Sequence, residues 1–158
     1  MKFISEEQRV ELTVCKVKAG GKTEKRTVSI EFGMLLGLTE SQAMPSFLKD
    51  AWSSMRKSGS HASVIELDGE IESQNVSFYR LPKDKSSDFE LEGRKLENLR
   101  LEKLGNQIFL YFRIQEILGK TLWDWLWYAF LRTIYAEFEE CQTELPVGND
   151  KSKSATVN

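Results

Sequence analysis

The chain has 158 residues, of which 41% are hydrophobic and 29% charged, and its formal net charge is −2. That length suits one domain with a core large enough to need no disulfide or metal staple, and the composition excludes a chain disordered throughout. Near-neutrality gives no global attraction to nucleic acid or to an anionic membrane, so any such affinity must come from a local patch.

Glu6 and Glu7 precede any apolar run, which is not the pattern of a signal peptide. The strongest candidate for a membrane span, residues 117–136, contains Lys120, Asp124 and Arg132. Each would cost roughly 2.5–3.5 kcal/mol at a bilayer centre, so no span is expected and the chain reads as cytoplasmic. Cys15 and Cys141 match neither a zinc ligand set nor a CxxC pair. They are expected as small buried hydrophobes in a reducing compartment.

Val10, Leu12 and Val14 alternate with polar neighbours, as in a half-buried strand, and Val28, Ile30 and Phe32 repeat the pattern. Gly20-Gly21 between them predicts a hairpin turn. A helix is expected over 45–57, starting at Pro45, with Phe47, Leu48, Ala51, Trp52 and Met55 on its apolar face. Strands are expected at 63–67 and 71–81, joined as a hairpin at Asp68-Gly69. A further strand starts at 89–92, bulges at Gly93 and resumes at 99–104, and Gly105-Asn106 leads into a last strand at 108–114. The final element reads as one helix over 121–141, capped by Thr121, followed by a disordered polar tail at 143–158.

The expected fold is therefore α+β: one domain over 1–142, element order ββαββββα. Its largely antiparallel sheet of about six strands carries both helices packed on one face. Within the final helix, Trp123, Leu126, Trp127, Phe130, Leu131, Ile134 and Phe138 fall in one arc and read as core. Trp125 is left on the opposite side with Tyr128 and Arg132. A large aromatic there is the kind of feature that dominates interfaces, so Trp125, Tyr128 and Arg132 are the expected partner surface, the alternative being that the other helix or the long loop covers Trp125 within the same chain.

Motifs for chemistry are weak. Lys16, Lys18, Lys22, Lys25 and Arg26 make the first hairpin basic, and a two-stranded ribbon can place lysines on phosphates. No aromatic residues interleave with them to stack bases. His61 is the only histidine, without the spacing of a metal site or the elbow of a serine hydrolase. Glu66 with Asp68 and Glu70 with Glu72 read as the solvent side of strands rather than an acid–base pair. No catalytic, cofactor or metal residue is expected. The expected function is a non-catalytic protein–protein interaction or regulatory protein acting as a homo-oligomer, in the manner of an inhibitor, immunity or phage-type accessory protein. The alternative is a nucleic-acid-binding accessory that uses the basic hairpin.

Overall fold

A computed structural model describes residues 9–22, 25–42, 44–57 and 62–141. His61 and the expected tail at 143–158 lie outside the described residues, as do the side chains of Lys22 and Lys25.

Strands β1 (Val10–Lys22) and β2 (Lys25–Leu35) pair antiparallel, as their alternation predicts. Gly20 and Gly21 pair with Thr27 and Arg26, so they belong to the strand, and the pairing continues to Lys22 and Lys25. A five-residue helical turn, α1 (Leu38–Gln42), follows. Its first turn is held by the Gly37 N–H donating to the Glu40 side chain. Helix α2 (Ser46–Lys57) begins just after Pro45, whose carbonyl accepts from the Leu48 and Lys49 amides.

Strands β3 (Ala62–Glu66) and β4 (Ile71–Tyr79) are not a hairpin. Both pair antiparallel with the long strand β5 (Phe89–Leu104), β3 along its second half and β4 along its first. Asp68-Gly69 therefore bends a nearly continuous line of chain instead of reversing it. Gly93, at φ +62°, supplies the expected bulge in β5, and its N–H donates to the Asn75 side chain. Strand β6 (Gln107–Ile117) buries Ile108, Leu110, Phe112 and Ile114 on one side.

The expected final helix is two elements. Helix α3 covers only Lys120–Ala129, and Thr133–Glu140 is strand β7. Leu131 takes a left-handed φ of +62°, where a helix cannot continue, and Arg132 donates back to Ala129 as the chain turns. In β7, Ile134, Ala136 and Phe138 are buried while Glu137 and Tyr135 face outward, the period of a strand.

The correction to the expected α+β layer follows from β7. It lies between β1 and β4, and β5 pairs with β6, so β5-β4-β7-β1-β2-β6 closes into a six-stranded antiparallel barrel with β3 as an extra strand on β5. Closure removes the open face on which two helices were expected to pack. They plug opposite ends instead. At one end the Trp52 indole of α2 donates to the Leu36 carbonyl, just past β2. At the other, α3 runs from the end of β6 to the start of β7.

Phenylalanines fill the interior. Phe32 stacks with Phe78 and with Phe112 at 5.5 Å each, and Phe112 meets Phe138 edge-on at 6.1 Å. The outer wall carries the charges. Arg100 bonds Glu31 at 2.7 Å and Glu102 at 2.6 Å, Arg113 pairs with Glu97 at 3.2 Å, and Arg94 pairs with Glu116. An apolar interior with a charged exterior is the reverse of a lipid-spanning barrel. Among the described residues, no helix is long and apolar enough to cross a membrane.

Candidate functional site: the outer face of the third helix

Helix α3 is held at both ends. The Leu118 amide donates to the Arg26 carbonyl of β2, and the Leu131 amide donates to the Val14 carbonyl of β1. Between these anchors Leu122, Trp125, Leu126 and Ala129 turn inward and are buried. Trp125 is only 5% exposed, with its ring 4.6 Å from Phe78 and 5.1 Å from Phe89, nearly parallel to the latter.

The expected division is inverted for the tryptophans, while Leu126, and Ile134 and Phe138 in what is strand β7, are buried as expected. Trp125 is core. Trp123 and Trp127, expected as core, are 48% and 73% exposed, and Phe130 and Leu131 are 44% and 67% exposed. The two outer indoles meet edge-to-face at 6.0 Å. With Val17, Leu126 and Phe130 they line an open groove of about 320 Å³. Of the expected interface, Tyr128 and Arg132 do come together. The Arg132 guanidinium lies 4.8 Å from the Tyr128 ring centre, and Arg80 lies 3.8 Å from the same ring. Arg132 is exposed and Tyr128 half-buried, whereas Trp125 points away from them into the barrel.

Val17 reaches the groove because β1 is irregular. Between Val14 and Lys16 the pairing with β2 slips by one residue. Before the slip Val10, Leu12 and Val14 face inward; after it Val17 pairs with the buried Ile30 and takes the inward side. The slip leaves Lys16 and Lys18 exposed on the outer side, with Arg26 also exposed on β2. The bulge is what keeps both lysines out of the barrel end.

Two other surfaces are less suited to a partner. The first is a groove of about 330 Å³ on the outer wall, over Gly33, lined in part by Cys15, Phe109 and Tyr111. A Cβ on Gly33 would lie 2.8 Å from the Tyr111 ring, so this glycine is what admits the ring. Burial pushes the Cys15 thiol and the Tyr111 phenol above their ordinary ranges, with nearby Glu31 and Glu102 adding to the effect. A thiol so shifted is protonated and a poor nucleophile near neutral pH. The second is a cleft where Glu70 and Glu72 meet Glu140, Cys141 and Lys95. Lys95 pairs with Glu70 at 3.5 Å. Glu66 and Asp68 are exposed. Among the described residues no group of three or more His, Cys, Asp or Glu is placed to hold a metal.

Arg9 explains the remaining cluster. Its guanidinium bonds Glu137 at 2.8 Å, stacks 3.5 Å from the Tyr79 ring centre, and donates to the Pro82 and Asp84 carbonyls. The arrangement ties the 80–88 loop to β7 and uses Glu137 as a structural acceptor.

Sequence patterning missed Trp123, Trp127, Phe130 and Leu131 as a surface. The signal that could have found them is the run Thr133-Ile134-Tyr135, whose β-branched and aromatic residues favour a strand and so end the helix early. Comparison with protein-family models, with curated proteins and with solved structures finds no match for this chain, and so none places it in an enzyme family.

Proposed function

We propose that this protein is a non-catalytic protein–protein interaction module whose working surface is the outer face of α3. The observation that supports it is the exposure of Trp123, Trp127 and Phe130 around one groove, with exposed Leu131 next to Phe130 in the chain. Large apolar patches are uncommon on soluble monomers and tend to mark partner surfaces. Tryptophan and arginine are the residues that most often dominate interface energy, and Arg132 stands at the edge of this patch. The helix is anchored to β1 and β2 and backed by buried Trp125, so the patch is presented rigidly, which lowers the entropic cost of binding. An inhibitor, an immunity protein or a phage-type accessory protein would all act through such a face.

The test is affinity purification from the native host, run beside sedimentation velocity over a range of concentrations. A specific complex or a self-associated species should form with the parent chain and be lost with Trp127→Ala at unchanged folding. Association that survives both Trp127→Ala and Leu131→Ala would show that the working surface lies elsewhere.

A further inference from the structure

Beside the groove, β1 offers a free strand edge. Strand β7 pairs with β1 only from Val10 to Thr13, and the last contact on that side is Leu131 donating to the Val14 carbonyl. From Lys16 to Lys22 the other side of β1 pairs with β2, while this side has no strand partner among the described residues. A strand edge of this kind presents unpaired backbone donors and acceptors to any extended chain. At its start the edge alternates in character: Val17 lines the apolar groove, while Lys16 and Lys18 are exposed on the opposite side of the strand. Arg132 adds positive charge on the α3 side, where the one acid of the helix, Asp124, is offset by Lys120 at 3.2 Å.

From this we infer that the partner binds as an added β-strand, through an extended protein segment that alternates apolar and acidic residues. The inference rests on the α3 face being the working surface. Side chains of an added strand alternate faces, so apolar residues enter the groove between Val17 and the indoles while the intervening carboxylates meet Lys16 and Lys18. The same charges disfavour a second copy of this chain, because pairing two β1 edges sets lysines against lysines. The groove receives a projecting side chain, which a flat lipid surface does not offer.

The experiment uses a nine-residue peptide alternating Glu with Val and Phe, and a twin with Lys in place of Glu, titrated into the full chain by tryptophan fluorescence. The acidic peptide should saturate the signal and protect amides in β1 from hydrogen exchange. Lys16→Glu/Lys18→Glu and Trp127→Ala should each weaken it at least tenfold, and methylating alternate peptide amides should abolish it. Binding of the lysine twin as tightly as the acidic peptide would overturn the inference. So would a silent peptide titration, or a fluorescence response to phosphatidylserine vesicles alone. If Trp127→Ala releases a native complex while the peptide does not bind, the α3 surface stands and the added-strand inference falls.

Discussion

Substituting Trp125 and Trp127 of α3 should have very unequal consequences for stability. Trp125→Ala removes an indole that is 5% exposed and stacked against Phe89 and Phe78. Truncating a buried aromatic to Ala costs about 3–5 kcal/mol, combining lost transfer energy with the cavity left behind. The site lies where α3 closes the barrel end, so collapse is limited by the strands around it and the upper half of that range is expected. Domains of this size have a total stability of roughly 5–15 kcal/mol, so the loss is a large fraction of the whole. At about 2–4 °C per kcal/mol it lowers the melting temperature by roughly 8–20 °C. Trp127→Ala, at 73% exposed, should change stability by no more than about 0.5 kcal/mol. Urea denaturation followed by far-UV circular dichroism measures both. Equal losses for the two variants, or a larger loss for Trp127→Ala, would refute the orientation of α3 and with it the exposed patch.

Two further outcomes follow from the outer wall. Gly33→Ala places a methyl 2.8 Å from the Tyr111 ring and 3.1 Å from the Cys15 sulfur, and should destabilise by roughly 1–3 kcal/mol. A double-mutant cycle with Tyr111→Ala should recover part of that loss, and strict additivity would exclude the clash as its cause. Stability should also fall at alkaline pH. Burial raises the folded-state pKa values of Cys15, Tyr79 and Tyr111 above their unfolded values. Their contribution is complete below the unfolded values, and is lost as pH rises from about 9 through the folded ones. Urea midpoints between about pH 8 and pH 10.5 should decline, and Cys15→Ala with Tyr79→Phe should flatten the decline. An unchanged slope in that variant would assign the pH dependence to other groups.

Much of the barrel was legible as local pattern. The alternation of Val28, Ile30 and Phe32 and of Ile108, Leu110, Phe112 and Ile114 specifies strands with one buried face, because side chains on a strand have a period of two. The Leu48, Trp52 and Met55 spacing specifies α2 by the same logic at a period near 3.6. The bulge at Gly93 is local too, since a left-handed φ favours glycine. Tertiary structure decided the rest. No Gly or Pro interrupts residues 120–142, and the apolar set from Trp123 to Phe138 fits a helical arc as well as it fits a helix followed by a strand. What resolves the ambiguity is non-local: β1 and β4 each need a neighbour on one side, and Thr133–Glu140 supplies it to both. Once that segment is a strand, the sheet closes, the helices move from one face to opposite ends, and α3 rotates so that Trp125 enters the barrel. The same closure turns Trp123 and Trp127 outward. The sequence by itself therefore determined which residues are apolar and where most strands run. Only the closed barrel decided which tryptophans are buried, because inside and outside on a ten-residue helix depend on what the helix packs against.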